Sequence, residues 1–260
     1  MKLEVLTGPQ GGGKSRYMRE QAISTPGRYL FALPTLELID EQVDAFRASA
    51  PHIPVVKIHS GLKRGTTVEA LSDALREHEN AQHAVIVTTH ETLMAHSLEG
   101  FDGWHGRIDE APNSVQAGNI QISATSRAWL DHTFALEPFA DGVWSYLTLT
   151  DAKPNWKVVA SDPGTKPFAE IIKIAGSGGH VFVRASDWKS VKKFDWFSIW
   201  TPLNLEHFAS VTVAGTSYTD SVGFKAARSF FHSRFEISIQ EIGETRTGQP
   251  HIKISYFTRG

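Results

Sequence analysis

A short apolar run, Leu3-Glu4-Val5-Leu6-Thr7, passes directly into Gly8-Pro9-Gln10-Gly11-Gly12-Gly13-Lys14-Ser15 and then into the helix-compatible stretch Arg16 to Ser24. The octapeptide matches GxxxxGK[ST] in full, and its setting between a strand and a helix is the one that pattern needs. A chain that turns from strand to helix over so many glycines exposes backbone N–H groups at a helix start, where unpaired donors and the helix dipole attract a polyphosphate. Without Cβ atoms the glycines allow close approach and positive φ angles. The segment Gly8, Pro9, Gln10, Gly11, Gly12, Gly13, Lys14, Ser15, Arg16 is therefore expected to hold ATP. Lys14 would meet the outer phosphates and the Ser15 hydroxyl would hold Mg²⁺. The alternative is a plain glycine-rich turn.

The 26 basic and 28 acidic side chains nearly cancel, so any attraction to nucleic acid has to be local. With no cysteine there are no disulfides or thiolate metal sites, which fits a reducing compartment. The histidines show no metal-ligand spacing, and no zinc site is expected. No apolar run approaches membrane-spanning length and no signal peptide precedes the first strand, so the reading is a cytoplasmic chain without a membrane partner.

From Met1 to about His96, strand-like runs (Lys2 to Thr7, Arg28 to Leu33, Pro54 to His59, Ala84 to Thr88) alternate with helical patterns (Lys14 to Ser24, Leu36 to Ser49, Thr66 to Asn80). That alternation predicts an α/β domain with a mainly parallel, doubly covered sheet. The apolar run Ala84 to Val87 suits a strand buried on both faces. Between Val115 and His207 the texture becomes loop-like and tryptophan-rich, and reads as an insertion, within which Phe168 to Ala175 and His180 to Arg184 suggest a helix and a strand joined by Gly176-Ser177-Gly178-Gly179. Its tryptophans read first as core anchors and second as base-stacking platforms. Regular texture resumes with Ala209 to Ala214 and a helix starting near Thr219. Two alternating runs, Arg234 to Ile242 and Ile252 to Phe257, suggest a β-hairpin or strand pair. The expected organisation is one domain over 1–230, with an insertion near 115–207, and a β-rich tail or the start of a second domain over 231–260.

The second chemical signal is Ile108-Asp109-Glu110-Ala111-Pro112. Phosphoanhydride hydrolysis beside a phosphate loop needs one carboxylate for Mg²⁺ and commonly another to orient water. Asp109 and Glu110 are assigned these roles in that order, with Lys14 and Glu110 as the catalytic pair. The preceding Trp104-His105-Gly106-Arg107 is not the usual apolar run, which suggests an edge strand or an irregular approach.

With these pieces the chain resembles the first motor domain of superfamily-2 helicases, the DEAD/DEAH-like class, in its divergent phage-type form. Leu33-Pro34-Thr35-Leu36 looks like the family's motif after the second strand, Thr88-Thr89-His90-Glu91 like its threonine motif, and Asp109-Glu110-Ala111-Pro112 like its Mg²⁺ motif. Gly215-Thr216-Ser217 stands where the family has Ser-Ala-Thr, in a different order. The resemblance implies a RecA-like fold and nucleic-acid-dependent ATP hydrolysis. It implies contacts to DNA, single-stranded or duplex, or to RNA through Thr35, Thr88, Thr89 and His90, with Ser60-Gly61 and Lys63-Arg64 as additions. It implies γ-phosphate sensing by Gly215, Thr216 and Ser217, and host cytoplasm as the location if a phage encodes the chain. From the residues alone, Thr35 and Thr88 can equally cap helices and His90 can satisfy a core hydrogen bond. The stretch after Ser217 is too short for a second motor domain, so an arginine finger would come from such a domain or a partner chain; Arg246 and Arg259 are poor candidates. Rival readings are a P-loop kinase, a viral DNA-packaging ATPase, and a non-catalytic module that binds nucleotide or nucleic acid.

Overall fold

The computed structural model describes residues 1–61, 66–96, 98–112, 115–122, 124–139, 142–189, 193–231, 234 and 236–243. In chain order the first part runs β1 (Lys2–Thr7), α1 (Lys14–Ser24), β2 (Arg28–Leu33), α2 (Leu36–Ser49), β3 (Val55–Ile58), α3 (Thr67–Glu77), β4 (Ala84–Thr89), α4 (His90–Ala95) and β5 (Trp104–Asp109). The middle part comprises β6 (Val115–Gln121), α5 (Ala124–Thr133), β7 (Phe134–Pro138), β8 (Trp144–Leu149), α6 (Trp156–Ser161), α7 (Ala169–Gly176), β9 (Val181–Arg184), α8 (Ala185–Trp188) and β10 (Lys193–Ile199). The last part comprises β11 (Ser210–Ala214), α9 (Val222–Phe231) and β12 (Glu236–Glu241).

Seven strands form one all-parallel sheet in the order β12-β1-β11-β5-β2-β4-β3, an α/β arrangement compatible with the RecA-like expectation. Helices flank both faces because the strands carry apolar residues on both. On one face Leu6, Tyr29, Phe31, Val85 and Val87 bury against Met18 and Ala22 of α1 and Ile39, Val43 and Phe46 of α2. On the other, Val5, Leu30, Ile86, Ile108 and Val213 meet Leu71 of α3, Leu93 of α4 and Phe224 of α9. Helix starts are set by side chains that accept orphan backbone N–H groups. Thr35 caps α2, Thr89 caps α4, and Thr66 with Glu69 forms a reciprocal capping box on α3.

Three expectations change. β5 is neither an edge strand nor irregular: it lies between β11 and β2 in full register. Its polar residues are accommodated locally, His105 Nδ1 sharing a 2.8 Å hydrogen bond with Ser210 Oγ and the Arg107 guanidinium lying 5.3 Å from the centre of the Tyr29 ring. The loop-like texture of 115–207 conceals a second, antiparallel sheet in the order β6-β10-β9-β8-β7. One of its faces is apolar, with Ile120, Leu147, Val181, Val183, Phe194 and Trp196 packed against Leu130, Ile171, Ile172 and Trp188. The run Arg234 to Ile242 supplies β12, which pairs in parallel with β1 and so belongs to the main sheet rather than to a hairpin. The run Ile252 to Phe257 lies outside the described residues.

Phe46 has no exposed surface and meets Phe31 edge-on at 5.2 Å, pinning α2 to β2. Replacing it with alanine removes a buried ring and leaves a cavity, so Phe46→Ala is expected to lower unfolding free energy by about 3–5 kcal/mol. Urea unfolding followed by circular dichroism measures the loss.

Candidate active site

Parallel register decides which residues meet. Leu6 pairs with Ala214 and Ala214 with Asp109, so β1, β11 and β5 end at one level. The loops leaving those ends are Gly8 to Gly13, Gly215 to Ser217, and Glu110 to Pro112. Ligands of parallel sheets bind beyond such carboxyl ends, where neighbouring connections diverge. Here α1 crosses over β11 and β5 on its way to β2 and carries Lys14 and Ser15 toward the end of β5.

The glycine-rich loop is a tight arch. Gly8, Gly11 and Gly13 adopt φ of 128°, 71° and 89°, a region in which Cβ atoms are strained. Gly12 N donates to Pro9 O at 3.0 Å and Tyr17 N to Gly13 O at 2.8 Å, so the arch runs directly into the first turn of α1. Lys14 folds back over it, Nζ donating to Gly8 O at 3.0 Å and Pro9 O at 2.8 Å. That ammonium and the unpaired N–H groups of the first helical turn concentrate positive potential at the loop.

Ser15 Oγ donates to Asp109 Oδ2 at 2.5 Å, joining α1 to the end of β5 across 94 positions of sequence. Asp109 is buried, whereas Glu110 is exposed and turns its backbone into the left-handed region at φ 61°. Such a conformation is costly for a residue with a Cβ and is common where a side chain is aimed at a ligand. A cleft of about 470 Å³ brings together Gln10 to Ser15, Asp109, Glu110, and Gly215 to Ser217. Gly215 N donates to Leu6 O at 3.0 Å, which fastens the third loop beside the first. Oxygen donors from Ser15 and Asp109 suit a hard cation such as Mg²⁺, which typically takes one or two protein groups and completes its shell with phosphate and water. Among the described residues no cluster of three or more His, Cys, Asp or Glu side chains could hold a metal alone.

Other predicted residues sit elsewhere. Gly8 and Pro9 line an adjoining groove with Thr7 and Glu241. Arg16 points outward and pairs with Glu20 at 2.6 Å on the exposed face of α1. Thr88 cannot reach a nucleic-acid strand with its side chain, because it is fully buried in the sheet with Oγ1 unpartnered. His90 is also a core residue, 9% exposed, its Nε2 bonded to Asp109 O at 2.9 Å. Burial holds its pKa below the ordinary imidazole value, so the ring is neutral at pH 7 and braces the strand ends instead of attracting phosphate. Thr35 is exposed and Thr89 half-buried, and each also serves as a helix cap. Ser60 and Gly61 lie on the surface after β3, whereas Lys63, Arg64, Arg246 and Arg259 fall outside the described residues.

Sequence reasoning missed Leu38, Tyr218 and Ser221, which also line the cleft. Ser221 was readable as a cap, since its Oγ accepts from Phe224 N at 3.1 Å. Tyr218 carries no comparable signal: burial pushes its phenol pKa far up, and its hydroxyl has no partner. Compared with protein-family models and with curated proteins, the chain matches none.

Because φ at Glu110 is positive, Glu110→Gly relieves backbone strain and is expected to stabilise the fold by about 1 kcal/mol. Chemical denaturation of the two proteins side by side gives the difference, and a destabilised variant would show that the Glu110 side chain supports the fold.

Proposed function

We propose that the chain is a P-loop ATPase domain that hydrolyses ATP in response to nucleic acid, in the manner of the first motor domain of a superfamily-2 helicase. The tryptophan-rich antiparallel sheet is read as an insertion between β5 and β11. The observation that carries the reading is the 2.5 Å contact between Ser15 and Asp109, with Lys14 and Glu110 on the same cleft. That contact joins residues separated by 94 positions, which supports the reading.

In this reading the amides of Gly11 to Ser15 and the ammonium of Lys14 bind the β- and γ-phosphates. Charge-assisted bonds of this kind fix the terminal phosphate while charge builds on it. Ser15 and Asp109 would hold Mg²⁺, which when bound neutralises charge on the phosphate oxygens. Glu110 accepts a hydrogen bond from the attacking water and orients it in line with the leaving oxygen. Gly215 to Ser217, fastened to β1, report the state of the γ-phosphate to β11 and α9. Nucleic acid, DNA or RNA, would lie along the same edge of the sheet, touching Thr35 and Thr89; Thr88 and His90 act beneath that surface as packing and bracing residues.

Lys14→Ala is expected to abolish binding of a fluorescent ATP analogue. Glu110→Gln should retain binding and lose turnover by about 10²-fold or more. Phosphate release measured with and without single-stranded DNA and RNA separates the motor reading from a kinase, which would instead respond to a phosphoryl acceptor. Hydrolysis by Glu110→Gln at the parental rate would remove Glu110 from the mechanism.

A further inference from the structure

A second cavity lies on the α1 side of the main sheet, near the opposite ends of the strands from the glycine loop. Register places two polar rows there: Lys2, Ser210, His105 and Tyr29, then Ser238, Glu4, Thr212 and Arg107. Parallel sheets normally bury apolar residues on both faces. Here β12, β1, β11 and β5 turn polar side chains toward a space of about 330 Å³ beneath the last turn of α1.

Arg107 is the anomaly. It is 7% exposed, its Nη1 donates only to Gly106 O at 3.0 Å, and its Nε is buried without an acceptor. Among the described residues it forms no ion pair with a carboxylate. Glu4, in the same row, accepts from Thr212 Oγ1 at 2.9 Å and favours the charged guanidinium electrostatically without forming an ion pair with it. A buried guanidinium whose Nε lacks an acceptor is costly unless an oxyanion compensates its charge. On the cavity wall, Gln21 Oε1 is likewise buried and unpartnered, an acceptor awaiting a donor.

We propose that this cavity binds a small molecule through a single oxyanion, a carboxylate or a phosphate, seated on the Arg107 guanidinium with Lys2 at the exposed rim. A hydroxyl or amine next to the oxyanion reaches Gln21 Oε1. Glu4 on the same wall disfavours polyanions, so the site does not duplicate the triphosphate cleft. The volume is at the small end of ligand cavities. The site is independent of the ATPase reading.

The test is a chemical-shift titration of the full ¹⁵N-labelled chain with inorganic phosphate, acetate and glycolate at constant ionic strength. It is run in the Lys14→Ala background so that phosphate at the glycine loop does not contribute. Saturable shifts clustered on the end of α1, β5 and the start of β11 are expected. Glycolate should bind more tightly than acetate, and comparison with phosphate tells which oxyanion the site prefers. Adding Arg107→Met should weaken binding roughly tenfold or more, the worth of a charge-assisted bond. Lys2→Glu, at the exposed rim, should weaken it severalfold and decides the matter if the Arg107 variant does not fold. Absence of saturable shifts with all three probes, or binding unchanged by Lys2→Glu or by a folded Arg107→Met, overturns the proposal and leaves a water-filled cavity.

Discussion

Register in the parallel sheet is the constraint on which the rest depends. Since Leu6, Ala214 and Asp109 share one level, three loops distant in sequence open onto one cleft. Slipping one strand by a single residue would turn each of its side chains to the other face. Asp109 would then leave Ser15, and the buried apolar positions of β5 would face the wrong layer. The same alternation that builds the two cores therefore places the carboxylate. His90 adds a brace at this level by bonding the backbone of Asp109 from the start of α4.

The glycines of the first loop also answer to a neighbouring backbone. A Cβ on Gly8 would lie 2.1 Å from Ile242 O, and one on Gly12 would lie 3.1 Å from the same oxygen. Ile242 N donates to Thr7 O at 2.8 Å, continuing the β12 ladder into the loop. The backbone leaving β12 is thus pressed against the arch that α1 starts from. A phosphate-binding explanation alone accounts for the glycines facing the cleft; this second backbone accounts for those facing away from it. Any movement of the arch is mechanically tied to residues 242 and 243.

Where local signals and tertiary context agree, the sequence was readable. β1, α1, β2 and α2 fall where periodicity, the glycine loop and the Thr35 cap put them, since each has both a pattern and a boundary signal. Asp109 and Glu110 could be found from the acid pair taken together with the glycine loop and the alternating strands that precede it. The strand before them could not, because His105 and Arg107 are tolerated only through partners on β11 and β2. For His90 the sequence left a nucleic-acid contact and a core hydrogen bond equally open, and the core bond to Asp109 O is the one formed; for Thr88 neither contact nor cap holds, because β4 is covered on both faces. Of the antiparallel sheet only β9 was legible, as the run His180 to Arg184, and the rest escaped notice for another reason. Its strands are short and its apolar positions sit among Gly, Pro and Ser, although Phe194, Trp196 and Ser198 alternate inward as a half-buried strand should.

β5 joins the two polar sites. Arg107 and Asp109 are two residues apart and so face the same side of the sheet, one beneath the end of α1 and the other beside its beginning. An apolar residue at 107 would pack the layer at lower electrostatic cost, because burying a guanidinium with no carboxylate partner, held only by the Gly106 carbonyl and the Tyr29 ring, opposes folding. His105 and Arg107 nevertheless form a polar track leading up to the carboxylate, and α1 lies along it from Thr25 to Ser15. Both sites therefore touch one rigid element, α1: Gln21 and Thr25 near its end wall the Arg107 cavity, and Ser15 at its beginning meets Asp109.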